Sequence, residues 1–153
     1  MAKCIPAKIS FSSCKKRKIE GKFDGGDITS DGGVMLIKGV DKKLKLTQSL
    51  ARIIPDNRYT SYCDHDMLGL VRQRIYGVAL GYEDVTDHNY LRKDIALQTA
   101  VGSDQSLASG STLCRLENSV DRKTIVDMNK LLVETFIKSL KKGWCFNIVL
   151  LSI

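Results

Sequence analysis

The sequence has no Cys-x-x-C pair, only two histidines, two prolines and one tryptophan, and no long apolar run. Each shortage excludes something. The five cysteines, at Cys4, Cys14, Cys63, Cys114 and Cys145, are odd in number and widely spaced. That speaks against a disulfide framework and against a cysteine-rich zinc module. The opening Met1-Ala2-Lys3-Cys4-Ile5-Pro6 has no apolar core of a secretory signal. The most apolar stretch, Phe146–Leu151, is far shorter than the ~20 residues that cross a bilayer. The expected setting is the cytoplasm, with reduced thiols and no membrane.

What is present points to a globular chain with an acidic partner. The 153 residues suffice for one ordinary domain or two small ones. Hydrophobic residues make up 43% and charged residues 27%, as in folded proteins rather than disordered tails. The net charge is +7 and the pI about 9.2, which makes nucleic acid the first partner to consider. The charge is concentrated. Residues 1–22 hold Lys3, Lys8, Lys15, Lys16, Arg17, Lys18 and Lys22 against Glu20 alone, leaving the rest of the chain close to neutral.

Residue patterning predicts a mostly helical protein with a little β structure, an α+β chain. Ala7–Phe11 and Lys18–Phe23 alternate as half-buried strands would, with Ser12–Arg17 as an exposed hairpin loop. Asp24–Gly33 is rich in turn residues, and Ser30 or Asp31 is placed to cap a helix with apolar Met35, Leu36, Val40 and Leu44. Thr47 or Ser49 opens a further helical turn that Pro55 closes. The clearest helix runs from about Asp64 to Leu80, with Met67, Leu68, Val71, Ile75, Val78 and Ala79 as its apolar face and Gly81 as its stop. Asp87 is expected to cap a short helix to Leu91, Asp94 one over Ile95–Ala100, and Ser111-Thr112 one through Asn118. Asp121 starts a long helix with Ile125, Met128, Leu132, Phe136 and Leu140 on its face and Gly143 as terminator. The uncharged run Cys145–Leu151 reads as a strand buried on both faces, and such a strand needs neighbours on each edge.

Three constellations invite chemistry. The glycine-rich Asp24–Gly33 lacks both the lysine and the spacing of a phosphate cradle, and its acids miss the calcium-loop register, so turns and a helix cap account for it. Asp64-His65-Asp66 and Asp87-His88 hold both histidines; a small metal phosphohydrolase using His65, Asp66 and His88 is one reading, and two helix caps are the other. A zinc site built from Cys63, His65 and distant thiols is a weaker version of the same idea. The basic groups form the third. Lys15, Lys16, Arg17 and Lys18 serve either as a phosphate-contacting arm or as a solvated hairpin tip. Arg72 and Arg74, with Arg92, Lys93 and Arg115, either track a DNA backbone or are ordinary surface, and short helices joined by tight turns suit a helix-turn-helix-like module.

Several blocks together carry a resemblance. Phe23-Asp24-Gly25-Gly26-Asp27-Ile28-Thr29-Ser30-Asp31-Gly32-Gly33 resembles the opening of bacterial insertion-sequence transposases of the DDE type, in the group numbered thirteen-eighty. So do Val71-Arg72-Gln73-Arg74-Ile75-Tyr76-Gly77-Val78-Ala79-Leu80-Gly81-Tyr82-Glu83-Asp84, then Asp87-His88, Leu91-Arg92-Lys93-Asp94 and Ser111-Thr112-Leu113-Cys114-Arg115-Leu116-Glu117-Asn118. The match covers roughly residues 20–150 in order.

The resemblance implies a helical N-terminal region that helps recognise the element's terminal inverted repeats. An RNase H-like domain would follow, whose three carboxylates hold Mg²⁺ or Mn²⁺ for attack on phosphodiester bonds. Its first strand carries the first catalytic Asp in a run like V-L-D-x-D-x-T. Here Ile148-Val149-Leu150 resembles the start of that run, and Leu151-Ser152-Ile153 stands where the aspartates belong. The expectation is therefore an N-terminal transposase fragment: a basic arm or hairpin over 1–23, a helical DNA-binding region over 24–119, and the first helix and strand of a truncated RNase H-like domain over 120–153. It would have no catalytic or metal-binding residues and no cofactor of its own. Its expected partners are DNA and full-length transposase. The alternatives are a stand-alone DNA-binding regulator of transposition and the His-Asp phosphohydrolase.

Overall fold

Asp66 sets the start of the helix around which the rest of the molecule is built. In the computed structural model, which describes residues 8–13, 18–21 and 30–141, its carboxylate accepts a hydrogen bond from Gly69 N at 2.8 Å. This satisfies one of the amides that a helix start leaves without an intrahelical partner. Seven α-helices are described: α1 Val34–Leu44, α2 Leu46–Ile53, α3 Met67–Ala79, α4 His88–Leu91, α5 Ile95–Val101, α6 Gly110–Asn118 and α7 Arg122–Lys141. Short 3₁₀ turns occupy Thr60–Tyr62 and Val85–Asp87. A two-stranded antiparallel hairpin, β1 Ile9–Ser10 and β2 Glu20–Gly21, pairs Ile9 with Gly21 and Ser10 with Glu20. The mostly helical α+β expectation holds.

The centre is α3. It packs against α1, α2, α5 and α6, while α7 lies on α2. Because α3 has neighbours on several sides, its buried residues, Leu70, Val71, Gln73, Tyr76 and Gly77, do not form the single stripe that Met67, Leu68, Val71, Ile75, Val78 and Ala79 suggested; Val78 is 48% exposed. The expected face of α1 is corrected too. Val34 and Met35 are buried, whereas Leu36, Val40 and Leu44 face solvent.

The core falls into three apolar clusters. The largest joins Val34, Met35, Tyr76, Leu91, Leu97, Ala100, Val101 and Leu107. A second joins Leu50, Ile54 and Val71 to Met128 and Leu131 of α7, and a third joins Leu70, Ala108 and Leu113. Leu97 and Leu113 are fully buried, so truncating either to Ala would cost about 2–5 kcal/mol.

Several caps shift by two or three residues. Asp66, not Asp64, caps α3; Asp84, accepting from Thr86 N at 2.8 Å, caps the turn before α4, whereas Asp87 makes no side-chain cap. Ser109, not Ser111-Thr112, caps α6. Neither Ser30 nor Asp31 caps α1 with its side chain, since Gly33 is the N-cap; the Asp31 carboxylate accepts from the Tyr82 hydroxyl instead. Asp94 and Asp121 cap α5 and α7 as expected. Gly81 and Gly102, at φ 100° and 99°, turn the chain after α3 and α5 in a conformation that glycine adopts without strain. The turn-rich stretch up to Thr29, the Lys15–Arg17 tip, the Gly143 terminator and the Cys145–Leu151 strand lie outside the described residues.

Candidate nucleic-acid interface

A buried carboxylate fixes the corner between α1 and α2. Asp41, 8% exposed, accepts from Thr47 N at 2.9 Å, from Thr47 Oγ1 at 2.6 Å and from the Tyr76 hydroxyl at 2.9 Å. Side chains on α1, α2 and α3 therefore meet at one group. Burial, with Asp41 beside it, pushes the Tyr76 phenol well above its ordinary range, so it stays a hydrogen-bond donor at all ordinary pH values.

A second buried polar centre lies one turn earlier on α3. Gln73 donates from Nε2 to the Ala108 carbonyl at 2.8 Å and accepts from Ala108 N at 2.9 Å, pairing with that residue as a backbone strand would. The same amide lies 3.4 Å from His88 Nδ1. The His88 ring is fully buried and packs so closely on Gly77 that a Cβ there would come within 2.5 Å of Cε1. Burial and the Arg74 charge hold His88 below the usual imidazole range.

These contacts decide where the expected site residues stand. Lys15, Lys16 and Arg17 lie outside the described residues. Lys18 pairs with Glu20 at 2.6 Å, and Glu20 also meets Lys8 at 2.8 Å; the two lysines lower the Glu20 carboxyl to about 2 and raise the Lys18 amine. Arg72 and Arg74 are two residues apart on a helix and so point in nearly opposite directions. Arg72 Nη1 donates to the Val101 carbonyl at 3.2 Å, and its Nε lies 3.9 Å from Asp41 Oδ2. Arg74 bonds Glu117 at 2.5 Å and the carbonyls of Tyr82 and Glu83, tying α3 to α6 and to the loop between α3 and α4. Arg92 is partly buried, with its Nε shielded and unpartnered, while Lys93 and Arg115 are exposed. The structure thus gathers Arg72 and Arg74 into inward contacts and leaves Lys93 and Arg115 to solvent.

The metal-hydrolase constellation does not assemble. His65 and Asp66 line a concavity of about 420 Å³ together with Cys63, Arg72 and Ser103, but His88 is sealed behind Gly77 and is not part of it. The Asp66 carboxylate is already engaged by the start of α3. Among the described residues no three His, Cys, Asp or Glu side chains converge as a metal would require, so they offer a divalent ion no donor set.

One basic surface escaped the sequence reading. Residues 38–52 carry Lys38, Lys42, Lys43, Lys45 and Arg52 against the single acid Asp41. The local charge count is the signal that marks it, though the first 22 residues are more basic still.

A protein-family model described as transposase DDE domain group 1 matches residues 11–150. The chain belongs to that family. No curated protein matches it, and no solved structure does. Membership makes DNA the substrate class, and no helix among the described residues is long and apolar enough to cross a membrane.

Proposed function

We propose that this chain is the DNA-binding front of a DDE transposase of the thirteen-eighty group, and that it performs no strand transfer by itself. Family membership supports transposition as its setting. The observation that carries the fragment reading is α7. Its inner side, through Met128 and Leu131, packs on the α2–α3 cluster. Its outer side presents Ile125, Val126, Leu132, Val133, Phe136 and Ile137 at 44–58% exposure. A helix that is apolar on both sides belongs inside a larger fold. On this reading residues 1–23 are a basic arm, 24–119 a helical DNA-binding region, and 120–153 the entry into an RNase H-like domain whose remaining elements cover α7.

In this proposal Lys15, Lys16, Arg17 and Lys18, with exposed Lys93 and Arg115, contact phosphates of the element's terminal repeats. Arg72 and Arg74 hold the elements that present them, and Arg92, beside Lys93, joins the contact. The carboxylates that would bind Mg²⁺ or Mn²⁺ belong to the following domain. Leu151-Ser152-Ile153, where the resemblance to that group would put aspartates, offers no anionic oxygen. The uncovered side of α7 also gives the chain a route to full-length transposase, through which it would act as a regulator.

The test is direct. The purified chain, mixed with terminal-repeat duplex and Mg²⁺ or Mn²⁺, is expected to shift the DNA in a salt-dependent way without cutting or joining it. Metal-dependent cleavage would overturn the reading.

A further inference from the structure

We propose that the corner between α1 and α2, together with the flank of the β1–β2 hairpin, forms a groove for the phosphodiester backbone of duplex DNA, with Lys42, Lys45 and Gln48 on one wall and Ser12 and Ser13 on the other. This rests on the reading of the chain as DNA-binding and adds a surface beyond the phosphate contacts given for that reading.

The shape comes first. A concavity of about 330 Å³ opens between these five side chains, with Arg72 and Tyr76 at its floor. Four lysine or arginine side chains reach it, and the only acid there is Asp41. That acid faces inward and is used by Thr47 and Tyr76, so the groove presents positive charge and hydroxyl or amide donors to whatever enters. Lys42 and Lys45 are exposed and form no ion pair among the described residues; Lys38 instead donates to the Thr99 carbonyl at 2.8 Å and braces the wall.

The backbone adds a second observation. Lys45 sits at φ 56°, the only positive φ outside glycine among the described residues. Glycine or asparagine would occupy that position with less strain. The tight α1–α2 corner, closed by Lys45 N donating to the Asp41 carbonyl at 2.6 Å, thus displays a lysine at its apex. The attraction of Lys42 and Lys43 for the C-terminus of α1 accounts for part of the local charge but not for its convergence with two serines and Gln48 across a cleft.

Two neighbours extend the track. Arg52, exposed, lies on α2 seven residues beyond Lys45, about 10 Å along the helix. Ser13 precedes the Lys15–Lys18 run by two residues, or about 7 Å of chain at most. The groove therefore runs from Ser13 to a rigid helical wall, which a duplex backbone can follow and a single free phosphate cannot.

The experiment titrates a fluorescent 20-base-pair duplex with the full chain at KCl concentrations from 50 to 200 mM. The Lys42→Gln/Lys45→Asn chain is expected to bind on the order of tenfold more weakly at the higher salt and to lose about two units from the slope of log K against log salt, at about 0.9 per phosphate contact. Its thermal midpoint should match the parent's, because both side chains are exposed and Asn tolerates the left-handed backbone. Lys42→Arg/Lys45→Arg should keep the parental slope, which separates charge from folding. A Lys130→Gln/Lys138→Gln chain, altered on α7, should bind like the parent. If the parent binds duplex and Lys42→Gln/Lys45→Asn shows the same affinity and slope, the groove is wrong and the DNA-binding reading stands. If the parent binds no duplex at 50 mM KCl, the DNA-binding reading itself is overturned. Tighter binding of single-stranded RNA than of duplex would overturn the commitment to DNA.

Discussion

Helices α3 and α7 are the two longest among the described residues, and they are held by opposite means. The thirteen residues of α3 are surrounded, and much of their specificity comes from polar groups: Gln73 paired to Ala108, Tyr76 to Asp41, Arg74 to Glu117, and Gly77 against His88. The twenty residues of α7 carry apolar groups on two sides, yet only one side is used, by Thr124, Met128 and Leu131. Buried polar partners define a unique arrangement because each unsatisfied group is costly; an uncovered apolar face defines only that something else belongs there.

The contrast can be broken most severely at Gln73. Replacing it with Ala strips two hydrogen bonds from the Ala108 backbone inside the core, and a loss of about 2–5 kcal/mol is expected in urea unfolding. A loss below about 1 kcal/mol would mean that α3 is held by apolar contacts alone. Gly77→Ala comes next, since the His88 ring must move; a cost of about 1–3 kcal/mol is expected. Tyr76→Phe is milder, about 1 kcal/mol, because Asp41 keeps both hydrogen bonds from Thr47.

His88 adds a pH dependence. Its folded pKa is depressed, so the unfolded chain takes up a proton near pH 6.5 that the folded chain refuses. Stability is therefore expected to fall as pH drops below about 6.5, and the fall should end only beneath the folded pKa. A urea midpoint that stays flat from pH 7 to pH 5 would count against this. The smallest effect belongs to α7. Leu132→Ser with Phe136→Ser should change stability by no more than about 0.5 kcal/mol per site while reducing self-association on size-exclusion chromatography. A large destabilisation would show that this face is already covered.

Helix existence was legible because apolar spacing and Gly stops are local signals: α2 before Pro55, α5 behind Asp94 and α7 behind Asp121 stand where the pattern put them. Exact caps were less so. In Asp64-His65-Asp66 and Asp84-Val85-Thr86-Asp87 two acids compete for one helix start, and the choice between them depends on where the helix packs. The basic residues were legible as charges but not as a surface. Arg72 and Arg74 read as a pair and project to opposite sides of α3, while Lys42 and Lys45 carry no motif and line a cleft with Ser12 and Ser13.

The sequence by itself determined the helical class, the charge and the ordered blocks that place the chain among DDE transposases, since each is a property of neighbouring residues or of their order. Only the tertiary structure decided that α3 is central, that Asp41, Gln73 and His88 are interior, and that the basic corner meets the hairpin. Those facts depend on residues far apart in the chain meeting in space, such as Gln73 with Ala108 or Asp41 with Tyr76. Periodicity along a chain holds no term for such distances.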